Sequence, residues 1–430
     1  MGRNLVIAGI LGAATMLGIF SCSKKSSDSV ASERYLYISS GQCNSGQGVT
    51  TFSSTNSSRV VSKVGLSSKT SNIVFDLAAQ FQGGFLNQET AAQGLIEDGG
   101  SMLMLTENAT SSGVGDRKIW SIPKSTPYTT AYYAQDTQAF TPTAAHVLRS
   151  MTLDADGTIL FSKSVAVEKI GTNVVRIPQS GPAPWISTPP GACAAATTNI
   201  TAIAVMPPFT GTTNGKVIIA HQAGGAAGNM LAIISRGGAT AGTGCLDGQT
   251  ILSSSPLTLD TGLATGTANT INAAGASPTA LVYIPTPSGP TTGKLIVALA
   301  PATAGALDNT TNLNNGLIMY DVTETSDTVA TISNTATVLY ESGSLLYGIS
   351  AMTYDSTDGS LYVATASQPG VADQTTQAYG YKVEKFHLDL TKAGVSPQLT
   401  LIRDTSVSPS KPFIDRNSLT KCITGLQVGN

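Results

Sequence analysis

The apolar positions of this chain fall in short runs separated by stretches rich in Gly, Ser, Thr and Asn, the pattern of β-strands joined by turns. Two strand types recur in a fixed order. The first has a small residue in its middle: QGLIED around Gly94, LRSMTL around Ser150, ITAIAV around Ala202, PTALVY around Ala280 and ISAMTY around Ala351. The second follows shortly after, as a Gly-containing turn leading into a strongly aliphatic strand: DGGSMLMLT at Gly100, DADGTILFS at Gly157, TNGKVIIAH at Gly215, TTGKLIVAL at Gly293 and TDGSLYVAT at Gly359. Each such pair is a hairpin signal. The small residues recur at intervals of about 50 to about 80 residues, so the chain carries a repeat of supersecondary size.

A third strand follows in most units, as RKIWSIP from Arg117, VVRIP from Val174, MLAIIS from Met230, GLIMYDV from Gly316 and YKVEKFHL from Tyr381. A weaker fourth is seen in TVLYES from Thr337 and QLTLI from Gln398. Four antiparallel strands per unit, repeated, resemble a β-propeller. The two ends of the chain complement each other in that arrangement. ITGLQV, from Ile423, matches the first strand type with Gly425 at the small-residue place, but no aliphatic partner follows it. RYLYISS, from Arg34, matches the second type without a first strand of its own, and VTTFSS and NIVFDL follow as its third and fourth strands. The expectation is therefore an all-β fold, a propeller of about six four-stranded blades with the first completed by the C-terminal strand, which leaves no free sheet edge. An open parallel β-helix and two stacked sandwiches are the structural alternatives.

Composition narrows the class. Charged residues are 12% of 430 and the formal net charge is −2, which gives no nucleic-acid footprint. The 44 glycines, with abundant Ser, Thr, Asn and Ala, suit an extracytoplasmic β protein. The first segment agrees: Arg3 precedes an apolar run from Leu5 to Phe20, ending at Cys22, in the order of a signal peptide. That run resembles the lipobox of bacterial lipoproteins, with Ile19, Phe20 and Ser21 before the cysteine. The resemblance implies cleavage before Cys22, acylation of Cys22 and attachment to a membrane, on the periplasmic side or the surface of an outer membrane. An uncleaved transmembrane anchor is the alternative, although Gly9, Gly12 and Gly18 interrupt the run and it is shorter than a span needs. Residues 1–21 thus read as a lipoprotein signal peptide, 22–34 as a flexible tether and 35–430 as the propeller.

Candidate chemistry is sparse. SGPTTGKLIV resembles a phosphate loop but places Leu295 where Ser or Thr would bind a metal, and GGAAGNM from Gly224 lacks the helix and acid of a dinucleotide site. Asp154 with Asp156, and Asp355 with Asp358, fall in hairpin turns where Asp caps its own backbone. His146, His221 and His387 have no ligand spacing; the blade pattern allows His146 and His221 on the same rim of neighbouring blades, where they read as two unrelated surface or rim histidines, with a shared metal as the alternative. Six-bladed lactonases and related hydrolases would imply a metal held by Glu, Asp and Asn near the starts of innermost strands. Those starts carry Gln93, Arg149, Asn199, Pro278, Tyr347 and Cys422, of which only Asn199 suits the role. No catalytic residue, metal or cofactor is assigned.

Beyond Cys22 there are four cysteines, an even number in a chain with export features. Placement in the first blade favours Cys43 with Cys422, leaving Cys193 with Cys245; buried free thiols are the alternative. The long connections, residues 107–116, 256–277, 300–315, 367–379 and 404–421, share one face of a propeller, and loops of that length are commonly functional. Their Thr, Asn, Gly and Ala content suits a protein or glycan partner. The leading expectation is a lipid-anchored binding or scaffolding module acting through that face, and the alternative is an extracytoplasmic hydrolase or lyase with an axial site.

Overall fold

The computed structural model describes residues 33–40, 60–76, 90–108, 118–126, 131–135, 148–153, 159–163, 166–170, 183–186, 198–209, 215–223, 230–237, 241–251, 257–259, 276–286, 292–301, 316–341, 345–346, 348–365, 382–392, 397–406, 410–414 and 423–430. Among these all regular structure is strand, in six sheets. The first sheet holds β1 (Tyr35–Ser40), β2 (Val60–Gly65) and β3 (Ser71–Asp76). The second holds β4 (Thr90–Asp98), β5 (Ser101–Asn108), β6 (Lys118–Pro123) and β7 (Ala131–Gln135), and the third β8 (Leu148–Leu153), β9 (Ile159–Lys163), β10 (Ala166–Ile170) and β11 (Ala183–Ile186). The fourth is β12 (Thr198–Met206), β13 (Lys216–Ala223), β14 (Met230–Gly237) and β15 (Ala241–Thr250). The fifth has five strands: β16 (Leu257–Leu259) lies parallel on the outer edge of β20 (Val329–Glu341), beyond β17 (Ala276–Pro285), β18 (Thr292–Pro301) and β19 (Gly316–Ser326). The sixth is β21 (Ile349–Asp355), β22 (Ser360–Thr365), β23 (Lys382–Leu388) and β24 (Leu399–Ile402).

β25 (Ile423–Gly429) returns to pair antiparallel with β1, Tyr35 opposite Gly429 and Ile38 opposite Leu426, and so completes the first sheet with four strands. The innermost strands contact one another in cyclic order, β25, β4, β8, β12, β17, β21 and back to β25. This is an all-β propeller whose ring is closed by strand pairing between sequence-distant ends. The closure covers the inner edge of β1 and makes β25 the innermost strand of the first sheet.

The aliphatic second strands are continuous runs because sheets stack on both of their faces. Val217, Ile218, Ile219 and Ala220 of β13 are each at most 1% exposed, and Leu295 to Ala300 of β18 are all fully buried. The cores are accordingly interfaces between sheets. Ile218, Leu231 and Ile233 pack with Leu295, Val297 and Ile318 between the fourth and fifth, and Leu36 and Ile38 pack with Ala364 and Val383 between the first and sixth. Each large aliphatic contributes about 2 kcal/mol of burial, shared between adjacent sheets.

Two outer strands differ from the sequence reading. The third strand of the first sheet is Val60–Gly65, not VTTFSS, and the third strand of the third sheet is Ala166–Ile170, not VVRIP. Both quoted segments lie outside the described residues. VVSKVG and AVEKI carry a Lys or a Glu–Lys pair in mid-strand, which interrupts the apolar run by which a strand is recognised.

Candidate functional site: the axial channel

Every innermost strand carries a β-bulge at the same place. The pairing register slips past Gln93 in β4, past Arg149 and Ser150 in β8, Thr201 in β12, Thr279 in β17, Ser350 in β21 and Thr424 in β25. In five of the six the next residue is small: Gly94, Ala202, Ala280, Ala351 and Gly425. A bulge adds one residue to one strand and bends it, which re-aims a side chain. Repeated around the axis, it produces a collar with a hydroxyl-bearing residue in five strands, Ser150, Thr201, Thr279, Ser350 and Thr424, and Gln93 in the sixth.

The bulges of neighbouring strands meet at one level. A side chain at Gly94 would touch Met151, and the Ile203 amide donates to Ser150 Oγ at 3.3 Å. Gly425 lies where a Cβ would come within 2.9 Å of the Leu95 backbone and 2.6 Å of Ser39 Oγ. The small-residue position is thus set by the crowding of strands at the axis, as the sequence pattern implied.

The hydroxyls are handled in a repeating way. Thr201 Oγ1 donates to the Ala220 carbonyl at 3.4 Å, Thr279 Oγ1 to the Ala298 carbonyl at 3.5 Å and Thr424 Oγ1 to the Ser39 carbonyl at 3.3 Å. In each case the acceptor is the residue paired with the small residue that follows the bulge. Ser350 breaks the series: it is 6% exposed and its buried Oγ has no hydrogen-bond partner.

Inside the collar lies a channel of about 600 Å3 to which all six innermost strands contribute. Its walls are aliphatic, including Leu95, Met151, Ile203, Leu281, Met352 and Leu426, with Ser150, Thr279, Thr424 and Gln427 among the polar lining residues. Tyr283 and Tyr354 also line it. Burial pushes the Tyr283 phenol up to about 12, helped by the charge of Glu324, and raises that of Tyr354, with Asp355 and Asp358 adding to the effect. Both stay neutral donors at physiological pH. The described lining holds neither carboxylate, imidazole, thiol nor ammonium group, and no cluster of three or more His, Cys, Asp or Glu occurs among the described residues.

The structure separates the candidates named from sequence. Asn199 lies in β12 opposite Gln222, and Pro278 is buried in β17. Tyr347, Cys22, Cys43, Cys193, Cys422, His146, Asp154 and Asp156 lie outside the described residues. Cys245 is half-buried in β15, packed against the cluster around Leu160, Ile200 and Val217. Asp355 and Asp358 do cap their hairpin: Asp355 Oδ1 accepts from the Thr357 amide at 2.9 Å and Asp358 Oδ1 from the Ser360 amide at 3.0 Å.

His221 is not a rim residue. It is fully buried in β13, between Ile200 of β12 and Met230 of β14, and burial lowers its pKa to about 4. Its place next to the aliphatic run VIIA is what carries it inside. The bulged collar was missed from sequence, although its signal is present: a polar residue stands immediately before the small one in QG, TA, TA, SA and TG.

No family model and no curated protein matches the chain. Among solved structures, the chain is similar to a putative 6-phosphogluconolactonase of Bacteroides fragilis, with TM-score 0.44 and 11% identity over 94% of this chain and 99% of that one. It is also similar to TolB of Acinetobacter baumannii, with TM-score 0.43 and 7% identity over 92% and 66%, and to a periplasmic gluconolactonase of Pseudomonas aeruginosa, with TM-score 0.41 and 9% identity over 91% and 98%.

Proposed function

We propose that this chain is a lipid-anchored, extracytoplasmic propeller that acts as a binding or scaffolding module, held to an outer membrane through Cys22 and engaging a protein or glycan through its long-loop face. One observation carries the choice of binding over catalysis. The six innermost strands converge on a channel whose described lining is aliphatic and hydroxylic, without the paired carboxylates or histidines that acid–base work requires. The anchor rests on the apolar run ending at Cys22. The face rests on strand direction: residues 302–315 join the end of β18 to the start of β19, and residues 367–379 lie between β22 and β23, at the same end of their sheets.

The cysteine pairings belong to this reading. Ser40 is opposite Ile423, so Cys43 and Cys422 follow from the same end of one strand pair, and Cys193 is left for Cys245. Non-reducing peptide mapping should link Cys43 to Cys422.

The test of the function combines two variants of the full chain in its native host. Cys22→Ala should move the protein out of the membrane fraction. Shortening the connection between β18 and β19, residues 302–315, should leave thermal stability nearly unchanged, because closure entropy depends weakly on loop length, while crosslinked partner yield on intact cells falls. Unchanged fractionation and mass would reject the anchor. Full partner yield with the loop shortened would reject that face, and hydrolytic turnover abolished by substitutions in the channel would favour an enzyme.

A further inference from the structure

The chain leaves the propeller from a fixed point. Arg34 Nη2 donates to Asp355 Oδ1 at 2.6 Å, and the Asp355 side chain is 1% exposed. Glu33 Oε1 accepts from the Ser68 amide at 2.7 Å, and the Ser68 hydroxyl together with that amide draws the Glu33 carboxyl below its ordinary range. The Leu66 amide donates to the Arg34 carbonyl at 2.8 Å. These contacts tie Glu33 and Arg34 to two hairpins, β2–β3 and β21–β22, on adjacent sheets.

Both hairpins lie on one face. β1 starts opposite the end of β25, and the turns from first to second strand and from third to fourth are at that same end of every sheet. Those described throughout are short: Gly65 to Ser71, Asp98 to Ser101, Ser326 to Val329 and Asp355 to Ser360. Charged side chains meet there in opposite-sign pairs, Lys124 with Glu97, Lys385 with Asp358 at 3.2 Å and Lys392 with Asp389 at 3.8 Å. At the opposite end of the sheets lie the connections from second to third strands, those between β18 and β19 and between β22 and β23 among them.

From this we infer that the short-turn face is turned toward the membrane and the long-loop face away from it. The inference rests on the lipid-anchor reading of Cys22. Chain reach decides it: the stretch from Cys22 to Arg34 can extend at most ~40 Å. To seat the long-loop face on the bilayer, that stretch must first pass outward over β2 and β3, about 10 Å at the usual strand spacing, and then run the ~20–25 Å height of a sheet. Almost nothing would remain to reach a lipid. With the short-turn face down, the same stretch is used only as a spacer.

The experiment uses the acylated full chain in phosphatidylethanolamine–phosphatidylglycerol vesicles bearing a rhodamine lipid. A fluorescent amino acid replaces Thr357, exposed in the β21–β22 hairpin, or Thr311, in the segment between β18 and β19. Transfer to the bilayer should be stronger from position 357, by about twofold for faces a strand length apart. Equal transfer, or stronger transfer from position 311, by protein that sediments with the vesicles would overturn the orientation while leaving the anchor intact. Acylated protein that stays in the supernatant would instead overturn the anchor, and the orientation with it.

Discussion

Lys216 of β13 and Glu324 of β19 form an ion pair across the boundary between the fourth and fifth sheets, with side chains 1% and 2% exposed. Asp327 Oδ1 lies 3.5 Å from the same ammonium group. Two charges taken out of water at a sheet boundary are costly unless each satisfies the other. Glu324→Ala should therefore lower unfolding free energy by about 3–5 kcal/mol, measured by urea denaturation. The double change Lys216→Met with Glu324→Leu should recover most of that loss, since an apolar pair of similar volume carries no desolvation penalty. Equal losses in single and double variants would show that the pair is not what stabilises this boundary.

Ring closure is probed at Gly425. A Cβ there meets Ser39 and the Leu95 backbone, so Gly425→Val is expected to cost at least ~1–3 kcal/mol through overpacking. Removing residues 419–430 should be more severe, because it strips β25 from β1 and opens the sheet order at the first sheet. Differential scanning calorimetry on both proteins is the check. A truncated chain with the intact melting temperature would mean the ring does not depend on its closing strand.

His221 makes stability depend on pH. In the unfolded chain a histidine titrates near its ordinary value of 6.5, whereas in the fold burial holds it neutral down to about 4. As pH falls below 6.5 the unfolded state takes up a proton that the folded state refuses, so stability declines and levels off near pH 4. The span corresponds to on the order of 3 kcal/mol. Denaturation of the parent and of His221→Gln between pH 7 and pH 4 should show a shallower slope for the variant. Parallel slopes would remove His221 as the source.

The collar hydroxyls should not be equivalent. Thr201 Oγ1 bonds the Ala220 carbonyl, so Thr201→Val is expected to cost about 1 kcal/mol. Ser350 Oγ is buried without a partner, so Ser350→Ala should be neutral or stabilising by up to about 1 kcal/mol. Chemical denaturation of the two variants gives the comparison, and a Ser350→Ala loss as large as that of Thr201→Val would reveal a partner for the serine.

The parts of this fold that the sequence announces are those whose signal is local. A turn glycine such as Gly359 followed by LYVAT specifies a hairpin within ten residues, and it does so in unit after unit. The pairing of β25 with β1 was legible for a different reason: each end lacked what the other supplied. Outer strands were harder. VVSKVG puts Ser62 and Lys63 in mid-strand, and a strand with two adjacent polar residues resembles a loop until its neighbours β1 and β3 are known. The collar needed the pairing register, because Thr279 and Ser350 look like ordinary alternation until two residues are seen to face one. The Lys216–Glu324 pair was hidden for a similar reason: its members are 108 residues apart and each looks like a surface charge.

The join between β25 and β1 also sets an order of events. Ser39 and Thr424 touch across 385 residues of sequence, so β1 emerges from the ribosome long before the strand that covers it. Until then the first sheet exposes an unsatisfied backbone edge, and contacts of such separation form slowly. Five sheets can assemble from neighbouring segments as synthesis proceeds, but the first sheet is complete only once β25 has been made. During that interval the open edge of β1 is the place where a chaperone would protect the chain or a second molecule would cross-pair with it.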